Sequence, residues 1–346
     1  MSQRRVLNST RALLRSAPSS SAGECLRHTK LADLRTISHT SLGHVRGRGP
    51  APRYRVADSA LPAYYVSMNK WVVVLVLVAV NAIVWVVPVP SGLKVSFLNI
   101  GQGDSILIEG PTGVQVLVDG GPDTSAVREL GQRLPFWDRT IDAVVATHPD
   151  ADHIGGLPDV LHRYNTAYIF EPGVQNDTRA WSTFVQAAND GVAAGAQHVL
   201  ARKGMRLILG GGAYADVLYP DHDVSAIPDT NSGSIVLRVV YGTTSFLLTG
   251  DLPDKQELYL VQTDPKNLDS DVLKAGHHGS AHSSTPEFVA AVSPNMVVYS
   301  RGCDNKYGHP APRTVALFES LQIPAYDTCQ QGTVTFLSDG VTISAP

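Results

Sequence analysis

Four side chains able to bind a cation fall within six positions of this chain: His148, Asp150, Asp152 and His153, in the run Thr147-His148-Pro149-Asp150-Ala151-Asp152-His153. The run follows residues 141–147, which read as a buried strand. Donors gathered where a strand leaves the core form a compact, partly dehydrated cage. Imidazole and carboxylate suit zinc, manganese or iron, and neighbouring carboxylates repel one another unless a cation joins them. A plainer reading makes this a polar strand-to-helix turn with Asp152 as the helix N-cap. That reading accounts for one acid and leaves the other three donors unexplained.

Two later segments have the same form. Phe246-Leu247-Leu248-Thr249-Gly250-Asp251 is an apolar strand ending in a carboxylate placed to bridge two cations. Residues 271–274 form another strand, which runs through Lys274 into Gly276-His277-His278-Gly279. Taken singly, Asp251 is an ordinary helix cap and His277 an ordinary hydrogen-bonded core histidine. In this order, each after an apolar strand, the three segments support one another.

The elements that must carry these residues alternate in type. Strand patterns cover 94–100, 105–109, 114–119, 141–147, 167–170, 215–219, 234–241, 244–249, 271–274, 296–300 and 324–327. Helical patterns cover 123–134, 152–164 and 312–321. Pro111-Thr112-Gly113 and Gly242-Thr243 read as hairpin turns. Hairpins mixed with strand–helix alternation indicate an α/β protein with two sheets covered by helices, an αβ/βα sandwich, over residues 93–346.

The front of the chain differs. Residues 1–70 hold 12 Lys/Arg against 3 Asp/Glu and the remainder 16 against 28, so a formal net charge of −3 conceals a basic front and an acidic domain. An acidic domain does not draw polyanions from a distance, which counts against a simple DNA-binding protein. Residues 1–67 lack a sustained apolar period and read as disordered. The uncharged run 71–88 reaches about 27 Å as a helix, close to a hydrocarbon core of roughly 30 Å. Residues 70–90 therefore read as one transmembrane signal-anchor without a small-residue cleavage site. Basic residues on its N-terminal side leave the N-terminus in the cytoplasm and the domain outside it. Met68 is an alternative start, which would leave residues 1–67 untranslated.

Three cysteines are too few for a disulfide framework. Cys303 and Cys329 each lie just past the end of one strand of a strand–helix–strand unit. Such strands pair in parallel about 4.8 Å apart, within disulfide reach, so an exported domain is expected to join them.

The chain resembles the metallo-β-lactamase superfamily, and within it most closely the hydrolase domain of ComEC-type DNA-uptake (competence) proteins. The likeness rests on Phe97-Leu98-Asn99-Ile100-Gly101-Gln102-Gly103-Asp104-Ser105, Val118-Asp119-Gly120-Gly121, the 147–156 segment, Asn231-Ser232-Gly233-Ser234, Thr249-Gly250-Asp251, His277-His278-Gly279-Ser280 and Tyr307-Gly308-His309-Pro310. It implies an αβ/βα fold, two divalent metal ions (Zn²⁺ or Mn²⁺) and phosphodiester hydrolysis, with single-stranded DNA a candidate substrate. On this pattern His148 and Asp150 hold one metal, Asp152, His153 and His278 the other, and Asp251 bridges them. Asp152 is also placed to orient the attacking water. Lys274, His277 and His309 are candidates for phosphate contact or leaving-group protonation, and Gln102 and Asp104 for supporting the cage.

The sequence departs from the pattern in places. Asp150 stands where the wider superfamily has His, and Asn99 where the ComEC-type subset more usually has Asp. Asn231 is the nearest match to a third-motif ligand, which leaves the first metal site short. One anchor replaces the many-helix channel, so a separate channel protein is an implied partner. Hydrolysis of another phosphoester, of phosphorylcholine type, is the alternative activity, and a non-catalytic anchored scaffold is the alternative to an enzyme.

Overall fold

A computed structural model describes residues 70–76, 78 and 92–346. The expected disordered segment 1–67 and most of the expected anchor lie outside the described residues. Residues 70–76 are helical. Among the described residues no helix is long and apolar enough to cross a membrane.

Eight strands form one sheet. They are β1 (Leu93–Phe97), β2 (Ile106–Glu109), β3 (Gln115–Val118), β4 (Ala143–Val145), β5 (Tyr168–Glu171), β6 (Gln197–Leu200), β14 (Val334–Ser338) and β15 (Ile343–Ser344). Seven form the other: β7 (Arg206–Gly210), β8 (Ala213–Tyr219), β9 (Val236–Tyr241), β10 (Thr244–Leu248), β11 (Val272–Lys274), β12 (Met296–Tyr299) and β13 (Ala325–Asp327). The orders are β15-β14-β1-β2-β3-β4-β5-β6 and β13-β12-β11-β10-β9-β8-β7.

Strand periodicity explains the layers. Successive side chains point to opposite faces, so a strand buried on both sides is apolar throughout. On β2, β3 and β4, Ile106, Ile108, Val116, Val118 and Val145 meet Phe246, Leu248 and Val272 of the second sheet in a shared core. The residues between them, Leu107, Leu117 and Val144, pack outward on Leu130, Leu157 and Phe184 of the covering helices. Leu247, Leu273 and Val297 do the same on the far side, against Leu260, Phe288 and Phe318. The result is the four-layered αβ/βα sandwich.

Two expectations need correction. The helix expected over 152–164 is two helices, Ala151–Ile154 and Leu157–Arg163. Gly155 and Gly156 lie between them, where a Cβ on either would lie 2.2–2.3 Å from the carbonyl oxygens of Pro122, Asp123 or Gly120. Strands β7, β14 and β15 went unread in the sequence. β7 lies at a sheet edge with one face open, and β14 and β15 follow the last recognisable motif. The turns at 111–113 and 242–243 join antiparallel neighbours as expected.

Candidate metal centre

All the chemistry-bearing residues gather at one end of the sandwich. β1, β3 and β4 run toward that end from the first sheet, and β10, β11 and β12 from the second. Asp104, Asp119 and the 148–153 segment therefore meet Asp251, His277, His278 and Ser300 across the seam.

Three histidines set the geometry, each with one ring nitrogen occupied. His153 Nδ1 lies 2.7 Å from Asp119 Oδ2. Asp119 is fully buried, with positive φ, and also accepts from the Thr147 backbone N–H at 2.8 Å and its hydroxyl at 2.7 Å. His278 Nδ1 donates to the Ser300 carbonyl at 2.8 Å. With the Thr147 hydroxyl proton given to Asp119, His148 Nδ1 donates to Thr147 Oγ1 at 3.1 Å. These bonds fix each Nε2 as the nitrogen carrying the free lone pair.

The free nitrogens converge. His153 Nε2 and His278 Nε2 lie 3.3 Å apart. Asp251 Oδ2 is 3.3 Å from the first and 3.2 Å from the second. Two lone pairs and a carboxylate so close repel one another unless a proton or a cation lies among them. Burial lowers both imidazole pKa values, but Asp251 and Asp119 lift His153, and Asp251 and Asp104 lift His278, well above the usual value. The cluster thus demands positive charge. His148 differs, since burial holds it well below the usual imidazole value, and its Nε2 is buried without a hydrogen-bond partner.

Asp150 adjoins His148, with Oδ2 3.8 Å from Nε2 and Oδ1 accepting from the Thr230 hydroxyl at 2.7 Å. The next residue, Asn231, has its Oδ1 buried without a partner. Asp152 Oδ2 lies 3.6 Å from His278 Nε2. Burial acts to raise the Asp152 pKa, but His278 and His153 bring it down to about 2. Orphaned, buried donors of nitrogen and oxygen type fit divalent cations. Asp104, His153, Asp251 and His278 each offer a ligand atom, all within 4.8 Å of one another.

The pairing of Asp104 with Lys274 is what the sequence left unread. Lys274, a candidate for phosphate contact or leaving-group protonation, is fully buried, with Nζ 2.7 Å from Asp104 Oδ2, 3.3 Å from Asp251 Oδ1 and 2.7 Å from the Gly250 carbonyl. Burial opposes its charge, yet Asp104 and Asp251 hold its pKa above the ordinary lysine value. It is a buried counter-charge to Asp104 and Asp251. Asp104 pairs with Lys274 through Oδ2, while its buried Oδ1 lies 3.4 Å from His278 Nδ1 without a hydrogen-bond partner. Gln102 Oε1 accepts from the Gly302 N–H at 3.2 Å, and Gly103 has no room for a Cβ, which would lie 1.9 Å from the Asp152 carbonyl oxygen. Asp119 and the Ser300 carbonyl were absent from the expected site residues. The signals for Asp119 were its place in the Val118-Asp119-Gly120-Gly121 motif and an acid closing an all-apolar strand before two glycines.

His277 and His278 share a tight turn in which both have positive φ, 48° and 55°. His278 enters the centre, while half-buried His277 keeps Nε2 3.5 Å from Asp251 Oδ2. His309 packs against His277 with ring centroids 5.5 Å apart, and Tyr307 stacks on His309 at 5.8 Å.

Residues 98–300 match the model of the metallo-β-lactamase superfamily. The chain belongs to the metallo-β-lactamase superfamily. ComE operon protein 3 of Bacillus subtilis is 30% identical over 264 residues, covering 70% of this chain and 33% of that protein. Competence protein ComA of Neisseria gonorrhoeae is 30% identical over 275 residues, covering 75% and 36%. The chain therefore spans about a third of the length of these relatives. Among solved structures, CmlA, a diiron β-hydroxylase from Streptomyces venezuelae, aligns with a TM-score of 0.47 at 16% identity, covering 72% of this chain and 54% of that one. The metallo-β-lactamase family binds divalent cations, and the orphaned donors of this chain suit them.

Proposed function

We propose that this chain is a metal-dependent phosphodiesterase acting on DNA. In this reading residues 70–90 hold it to the cell membrane, with the catalytic domain outside the cytoplasm. The observation that carries the chemistry is the convergence of His153 Nε2, His278 Nε2 and Asp251 Oδ2 within 3.2–3.3 Å, a cluster that repels itself unless a cation joins it. His148, Asp150 and Asn231 would hold one cation, and Asp152, His153 and His278 a second, with Asp251 between them. Two bound divalent cations supply Lewis acidity and lower the pKa of water.

The side chains do the rest. Asp152, one-third exposed and ionised, is placed to orient the attacking water. Burial brings the His309 pKa down to about 4, so it meets a phosphoryl group neutral and offers an N–H rather than an acidic proton. His277 stands beside it with its pKa likewise lowered by burial.

The stack above the centre favours a nucleic acid. Tyr307 is exposed, lies flat on His309, and has Lys306 Nζ 5.1 Å from its ring centroid. An exposed aromatic ring with a cation held over it suits a base and its phosphate on a single strand. A relative named a competence protein supports the same substrate class, and a separate channel protein is the partner that class would require.

The test uses the purified full chain in detergent. Elemental analysis should find two divalent cations, manganese supporting turnover at least as well as zinc because the donor set is rich in oxygen. Single-stranded DNA and a generic phosphodiester should both be cleaved, and Asp251→Ala should abolish both activities. Ester cleavage without DNA cleavage would remove the substrate assignment. A chain that neither binds metal nor turns over would remove the enzyme.

A further inference from the structure

Beyond residue 91, the four most exposed large apolar side chains among the described residues are Phe136 (81%), Val341 (74%), Trp137 (71%) and Ile208 (67%). All four lie toward the end of the sandwich opposite the metal centre. Phe136 and Trp137 precede β4, in a loop fastened to the start of β3 by Gln115 Nε2, which donates to Asp138 Oδ2 at 2.8 Å. Val341 occupies the turn between β14 and β15. Ile208 lies on β7 two residues before Gly210, and the β7–β8 turn packs against the β2–β3 turn, where the Thr112 hydroxyl donates to the Leu209 carbonyl at 3.4 Å.

The same end receives the chain from the apolar run. β1 starts at Leu93 and runs toward the metal centre, so its first residue lies at the far end. In sheet order β1 stands between β14, which leads into Val341, and β2–β3–β4, which reach the Phe136 loop. At about 4.8 Å per strand, β14 and β4 are roughly 19 Å apart, and the chain enters between them. Residues 89–91 alone separate the run 71–88 from Gly92, a reach of at most about 14 Å.

We infer that this end is a membrane-docking face, with Phe136, Trp137 and Val341 seated in the headgroup region of the phospholipid bilayer that holds the apolar run. The inference rests on the anchor reading proposed above. Tryptophan favours that region because its ring is apolar and its N–H finds a wet partner. Large apolar groups gathered at one end of a domain mark an interaction surface, and the short tether selects the bilayer as the occupant. The orientation follows: β1 rises about 17 Å from this face, so the metal centre opens away from the membrane and takes substrate from the aqueous side.

The test reads the depth of individual tryptophans. The chain has four, Trp71, Trp85, Trp137 and Trp181. Full-length proteins keeping a single tryptophan, the other three changed to Phe, are reconstituted into phosphatidylethanolamine–phosphatidylglycerol vesicles. The vesicles carry a lipid brominated near the headgroup end of its acyl chains. Trp71 reports the anchor. Trp181, at the start of the helix Arg179–Ala193 that follows the site-side end of β5, reports the other end. Loss of Trp71 and Trp137 emission with Trp181 unchanged is the expected result. Quenching of Trp71 but not Trp137 would overturn the docking face and leave the anchor standing. Quenching of Trp181 together with Trp137 would overturn the orientation. If Trp71 itself is unquenched, the anchor fails and the docking face falls with it.

Discussion

His153 and Asp119, 34 residues apart, meet through one short contact of 2.7 Å between Nδ1 and Oδ2, wholly inside the protein. Such an outer partner fixes the tautomer and orientation of a histidine ligand, and its loss typically costs 10–100-fold in metal affinity. Asp119→Asn keeps the shape and tolerates the positive φ of 59°, but removes the charge. We expect metal affinity to fall by about 10–100-fold with the fold retained, measured by calorimetric titration against circular dichroism. Unchanged affinity would show that His153 is oriented by something else.

Lys274 separates two roles by experiment. As a buried counter-charge to Asp104 and Asp251, its replacement by Ala removes the cation shared by two buried carboxylates and should cost about 3–5 kcal/mol. Urea unfolding of the metal-free protein reads this directly. A variant of normal stability with lost turnover would instead restore Lys274 to substrate contact.

Periodicity marked the strands that are buried on both faces, because their apolar runs have no other explanation. It gave less at β7, whose open edge leaves Ile208 exposed, and it joined two helices across Gly155-Gly156, where the backbone packs too closely for a Cβ. The motifs named the centre's histidines and aspartates. They did not reveal which lysine is buried or which acid stands behind His153. Those facts arise from pairing across the two sheets, which no local window contains.

Glu257 carries a pH dependence of its own. It is buried, accepts from the Ser284 and Thr285 backbone N–H groups at 2.6 and 2.8 Å, and burial pushes its pKa from 4.5 up to about 7. Between those values the unfolded chain has released the proton and the folded one retains it. Stability is therefore full below about pH 4.5 and falls as pH rises toward 7, by about 3 kcal/mol for this group. Glu257→Gln should remove that part of the slope in denaturation measured from pH 5 to pH 8. An unchanged slope would assign it to other groups.

Cys303 and Cys329 form a disulfide with a Cα separation of 5.0 Å, at the ends of the parallel pair β12–β13. The bond closes the loop holding His309, whose backbone N–H and carbonyl are both bonded to the Asn305 side chain at 2.8 Å. Cys303→Ala should lower stability by about 3 kcal/mol and, on the proposed function, weaken turnover by loosening His309. Mass spectrometry after alkylation without reduction checks the bond, and two alkylated thiols would refute it.

The donors of the centre are divided between the sheets: His148, Asp150, Asp152 and His153 extend from the first, Asp251 and His278 from the second. A cation taken up there is a bolt through a seam. The donor set is complete only when both halves are in place, so slippage between the sheets would loosen the ion. Hydrogen exchange should then slow together in β4 and β11 when metal is added, although the two strands share no hydrogen bond.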